Sequence, residues 1–179
     1  MKIWQLRADM DNYSAFHTCI PFTGIEMMTF DGRSHLKDTK IRKVVRRDWK
    51  KGLVLGDSPD YIIPVFSKNA LQHLMPLIGE NVEALELEYE EPYYAINVTR
   101  VLNAINYGRS EYVSHKNNGE IVTFSKYSFF PEKVQGVPIF KIVDAKSSFP
   151  LVSDEFKQIV EKNNLKGFVF KLLWDSEKE

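Results

Sequence analysis

A single cysteine, Cys19, stands in the 179 residues, so no internal disulfide can form, and a lone thiol suits a reducing compartment. Long apolar runs are missing: nothing approaches the ~18 consecutive apolar residues needed to cross a bilayer. The opening Met1 to Arg7, followed by Asp9 and Asp11, lacks the apolar core of a secretory leader, and the expected location is cytoplasmic. Net charge is missing as well, because twenty-four Lys and Arg balance twenty-four Asp and Glu. There is no Walker loop, no G-x-S-x-G elbow and no G-x-G-x-x-G fingerprint, and the nine glycines fall singly at turn positions. The histidines, His17, His35, His73 and His115, share no metal-ligand spacing, and His73 has neither histidine nor carboxylate four residues on. His17 lies two positions before Cys19 without forming a recognisable catalytic pair. The sequence therefore predicts no catalytic residue, no metal and no cofactor.

Hydrophobic residues make up 44% and charged residues 27% of the chain, values of an ordinary globular protein. At ~150 residues per domain, the length predicts one compact structural domain. Its punctuation changes near residue 60. Residues 1–60 hold short apolar pieces, Ile3 to Leu6, Glu26 to Phe30 and Leu53 to Leu55, between turn-like stretches. Residues 61–179 carry sharper signals. Tyr61 to Phe66 reads as a strand that Pro64 confines to an edge. Ser67 stands as an N-cap before Leu71, Leu74, Met75 and Ile78, with Pro76 ending or kinking that helix and Gly79 closing it. Leu85, Leu87 and Tyr89 alternate with Glu86, Glu88 and Glu90, the period of a strand, and Tyr93 to Val98 follows as its hairpin partner. Arg100 to Asn106 reads as a short helical turn. Ser110 to His115 and Glu120 to Phe124 flank Asn118-Gly119, a hairpin turn signal. Val137 to Val143 reads as a strand, Ser153 caps a second helix, and Gly167 opens a last strand, Phe168 to Trp174. The predicted class is α+β, a mostly antiparallel sheet with two main helices.

Two charge blocks stand out. From Lys40 to Lys51 seven of twelve residues are basic, among them Arg42, Lys43, Arg46, Arg47 and Lys50, with Trp49 interleaved. Such a run can hold phosphates with Trp49 as a stacking platform. A solvated edge strand explains it better in a neutral chain. The second block is Glu80, Glu83, Glu86, Glu88, Glu90 and Glu91; alternation places Glu86, Glu88 and Glu90 on one strand face about 7 Å apart, beside Tyr93-Tyr94, of which one ring points outward. This face suits docking to a basic partner, unless the basic run lies across from it and compensates it internally. An open strand face does not suit a hydrolase acid–base pair.

Tyr93 to Thr99, Gly136 to Lys141, Val152 to Lys157 and Gly167 to Trp174, taken in order, resemble the signature of a bacterial immunity protein family of polymorphic toxin systems, first described as an uncharacterised domain and typified by a myxobacterial protein. The resemblance spans residues 61 to 174; the first 60 residues match loosely, at Lys2 to Leu6. It implies a protein that binds and neutralises a cognate toxin encoded nearby, and it brings no catalytic residue. The resemblance identifies no binding site; the charge pattern offers Glu86, Glu88, Glu90, Glu91, Tyr93 and Tyr94 as the partner face. The alternative is a nucleic-acid-binding accessory protein using Arg42, Lys43, Arg46, Arg47, Trp49 and Lys50.

Overall fold

The computed structural model describes residues 1–18, 30–37, 43–48, 50–60, 63–114 and 121–178, with backbone alone at His17 and Thr18. Cys19, Arg42, Trp49, His115 and the Asn118-Gly119 turn lie outside the described residues.

Twelve strands are present among the described residues: β1 (Lys2–Ala8), β2 (Ala15–Thr18), β3 (Val44–Arg47), β4 (Val65–Ser67), β5 (Val82–Leu87), β6 (Tyr93–Val98), β7 (Val101–Leu102), β8 (Glu111–Ser114), β9 (Ile121–Lys126), β10 (Ile139–Ile142), β11 (Leu151–Ser153) and β12 (Phe168–Asp175). The helices are α1 (Lys68–Ile78), a four-residue α2 (Pro131–Val134) and α3 (Asp154–Lys162). A five-stranded sheet runs β12-β1-β11-β10-β7 and a three-stranded sheet runs β4-β6-β5, with β2-β3 and β8-β9 as separate pairs. All pairings are antiparallel except β10 with β7. The class is α+β, as the sequence predicts.

Both larger sheets turn one face to α1 and α3. Leu6, Phe66, Ile96, Val98, Ile139 and Val152 from the strands pack there with Leu74, Ile78, Phe156 and Val160 from the helices. A second cluster, with Ile3, Phe129, Phe140 and Trp174, fills the opposite face of the five-stranded sheet. A third, with Phe16, Phe30, Val44, Leu85, Leu87 and Tyr93, covers the opposite face of the three-stranded one.

The caps read from the sequence hold. Ser67 Oγ accepts from the Ala70 N–H at 3.0 Å and Ser153 Oγ from the Phe156 N–H at 3.3 Å, each satisfying an orphan donor of its helix's first turn. Pro76 does not end α1, which runs on to Ile78. The carbonyl left without a donor belongs to Gln72, which is exposed to water, so the missing N–H costs little there. Gly79 is right-handed, with φ −54°, and leads into a 3₁₀ turn rather than a left-handed cap. The expected helical turn at Arg100 to Asn106 is instead β7, because Val101 and Leu102 pair in parallel with Lys141 and Ile142. Leu53 to Leu55 forms no strand, only a bridge from Leu55 to Ser14; of the strand expected at Tyr61 to Phe66, Tyr61 and Ile62 lie outside the described residues and Val65 and Phe66 belong to β4. β4 does lie at a sheet edge.

Candidate functional site

The hairpin of β5 and β6 carries the acidic block. Its register pairs Leu87 with Tyr93, Glu86 with Tyr94 and Val82 with Val98. The even-numbered face is not acidic throughout: Val82 and Ala84 pack against the helices, and the face turns to solvent at Glu86. Glu86, Glu88, Glu90 and Glu91 are all exposed. The two tyrosines part as neighbours on a strand must. Tyr94 is half-buried beside Glu86. Tyr93 is 4% exposed and faces inward, its hydroxyl donating to the Gly56 carbonyl at 3.1 Å. Burial, with smaller contributions from Glu91 and Asp57, pushes the Tyr93 hydroxyl up to about 12. Phe16, Tyr89 and Tyr93 meet edge to face, with centroids 4.7 Å (Phe16–Tyr89) and 4.9 Å (Phe16–Tyr93) apart. This aromatic group supports residues 88–92 from beneath.

The basic run lies against the same turn. Lys43 bridges Glu88 in parallel, the Val44 N–H donates to the Glu88 carbonyl at 3.3 Å, and Lys43 Nζ stands 3.3 Å from Glu88 Oε1. Internal compensation is thus real, but it reaches one glutamate. Glu86, Glu90 and Glu91 have no ion pair among the described residues. Arg46 holds Asp48 at 2.8 Å and donates to the Leu53 carbonyl. Its hydrogen bond, followed by one from Ser14, keeps the Asp48 carboxyl below the usual range. Lys50 Nζ reaches the Asp11 carbonyl at 3.5 Å, and Arg47 is exposed. Among the described residues of the run, Lys43, Arg46 and Lys50 are each turned to an acceptor of this chain.

Residues 88–92 form a ridge between two concavities. One, of about 620 Å³, lies between Lys43 to Arg46 and Glu88 to Glu90. The other, of about 540 Å³, is lined by Gly56, Asp57, Lys68, Glu91, Tyr93 and Lys166 among others. Asp57 organises the second: its carboxylate accepts from Ser67 Oγ, from Asn69 Nδ2 at 3.2 Å and from the Lys166 N–H at 2.8 Å.

The Immunity protein family (Imm11) matches residues 82–174, which is over half of the sequence. The chain belongs to this family. No curated protein matches it. The Imm11 match starts at β5 and contains the whole acidic hairpin, both helix-flanking strands of the last third, and the closing strand up to Trp174. β1, although it sits between β11 and β12, lies outside the match.

Three polar side chains within the match are buried: Asn97 and Lys141, to which the sequence pattern gives no role, and Glu83, which it counts in the acidic block. Glu83 Oε2 accepts from the His35 N–H at 2.7 Å and from Asn97 Nδ2 at 3.0 Å. Asn97 Nδ2 also donates to the Arg33 carbonyl at 2.7 Å, and Lys141 Nζ donates to the Phe30 carbonyl. Together they fasten residues 30–35 across the molecule. Burial alone would raise the Glu83 carboxyl, but the hydrogen bonds from His35, Ser34 and Asn97 outweigh it and hold it below its ordinary value. Burial pushes Lys141 down to about 8, against a smaller opposing pull from Asp31. The signal was parity: Glu83 shares the dry face with Leu85 and Leu87, and a polar residue at an apolar position of a strand needs a buried partner. Among the described residues, no cluster of His, Cys, Asp and Glu suits a metal ion, and no helix is long and apolar enough to cross a membrane.

Proposed function

We propose that this immunity protein binds a cognate bacterial toxin in the cytoplasm and neutralises it by occlusion, without catalysis, using the ridge at residues 88–92. Membership of the family supports the immunity role. The observation that supports the placement is the ridge itself, where Glu90 and Glu91, exposed and without an ion pair among the described residues, stand between two concavities, with exposed Glu86 and half-buried Tyr94 paired next to it on the hairpin. A basic toxin surface gains attraction over the ridge and depth for side chains on either side of it. Complementary charge of this kind raises the rate of encounter and fixes the docking register. If the toxin acts on nucleic acid, the carboxylates take the place of backbone phosphates in its cleft.

The test is co-expression with the toxic domain encoded beside the gene, followed by purification through a tag on one partner. The native chain restores growth and co-elutes with the toxin. Reversing Glu86, Glu90 and Glu91 to lysine abolishes both while the melting temperature stays close to the native value. Undiminished binding by the reversed chain refutes the ridge as the contact. Restored growth without a complex refutes occlusion and points to repair of the damage.

A further inference from the structure

β12 ends the five-stranded sheet. β1 pairs along one of its edges, and among the described residues no backbone pairs along the other. The strand is eight residues long, contains no proline, and carries one charge, Lys171, before Asp175 closes it. Its register with β1 is regular from Phe168 to Leu172 and shifts only beyond that. Val169 and Leu172 are 39% and 40% exposed, and Phe168 and Phe170 are half-buried. Natural sheets cover, charge or break an edge of this kind; from Phe168 to Leu172 this one keeps a regular register and carries Lys171 as its single charge.

The side chains sort by face. Phe168, Phe170 and Leu172 stand opposite Ala8, Leu6 and Trp4 on the side where Phe156 of α3 packs. Val169 and Lys171 point to the other side. We propose that this edge pairs with the same edge of a second copy, antiparallel, about a twofold axis through Phe170. In that register Phe170 meets its own counterpart and Phe168 meets the other copy's Leu172, so an apolar row runs unbroken across both molecules. Val169 meets the other copy's Lys171, so each ammonium lies over a valine. An axis through Lys171 would set the two ammonium groups against each other, and an axis through Val169 would leave Leu172 facing Lys166. The contact is isologous and closes at two chains.

The test uses the full chain, by light scattering behind size exclusion and by analytical ultracentrifugation from micromolar to near-millimolar concentration. The native protein shows a concentration-dependent dimer. Val169→Lys puts like charges opposite each other twice and weakens dimerisation about tenfold or more. Adding Lys171→Glu to that variant restores it, and Val169→Glu alone tightens it. Thermal melts confirm that each variant is folded. A single-chain mass at every concentration overturns the proposal, as does a dimer indifferent to both charges. If the free protein is a monomer and Val169→Lys instead prevents capture of the toxin, the edge belongs to the toxin and self-pairing fails.

Discussion

The carboxylate of Asp154 holds Trp4 across 150 residues of sequence, accepting from the indole Nε1 at 2.8 Å on one oxygen and from the Lys2 backbone N–H at 2.9 Å on the other. Asp154 is the first residue of α3, so the same side chain also lies at the positive end of the helix dipole. One group thereby fixes the start of β1 to the start of α3. Asp154→Ala loses both bonds and the dipole interaction, a cost of about 2–3 kcal/mol, which lowers the melting temperature by roughly 5–10 °C in a chain of this size. Trp4→Phe removes one bond and costs less. Differential scanning calorimetry of the two variants decides it: equal losses would mean that neither the Lys2 bond nor the dipole interaction contributes.

Lys141 gives stability a distinctive alkaline profile. Its folded value of about 8 lies below the ordinary 10.5, so between these limits the unfolded chain binds a proton that the folded chain has released. Stability therefore rises with pH through this window, by roughly 2 kcal/mol between pH 8 and 10. Above pH 10 the Tyr93 phenol works the other way, since it ionises near its ordinary 10.0 when unfolded and only at about 12 when folded. Chemical denaturation across this range shows a maximum near pH 10, and Lys141→Met removes the rise leading to it. Parallel curves for the native and variant chains would refute a buried, deprotonating lysine.

A fragment of residues 61–179 lacks β1. Seven residue pairs join β1 to β12 and three join it to β11; without them β12 loses its one partner strand among the described residues and β11 keeps only β10. The fragment is expected to show no cooperative thermal transition and collapsed amide dispersion by NMR. A sharp melt would establish residues 61–179 as a unit that folds alone.

The hairpin of β5 and β6 was legible because alternation of apolar and acidic residues is a local signal, and so were the caps, because Ser67 and Ser153 act within three residues of themselves. β7 was not. Val101 and Ile105 have helical spacing, and what makes Val101 and Leu102 a strand is a parallel partner forty residues on, at Lys141 and Ile142. The acidic face was legible as a pattern, but its extent was not, since Val82 and Ala84 share its parity and are covered by helices that sequence alone does not place. The contact between Lys43 and Glu88 joins two segments whose only common mark is opposite charge. Glu83 looked like one more member of the acidic block, and Asn97 and Lys141 were only polar residues at apolar strand positions; beyond the Glu83–Asn97 bond, their partners include backbone groups of His35, Arg33 and Phe30, which no side-chain pattern reveals.

The position of β1 also sets a timetable. Residues 2–8 are made about 160 residues before their principal neighbours, residues 168–175. At ~5–20 residues per second, the ribosome takes roughly 10–30 s to reach them. For most of that interval Ile3, Trp4 and Leu6 have neither β11 nor β12 to pair with, so an apolar strand has to stay solvated while it waits for partners made about 150 residues later.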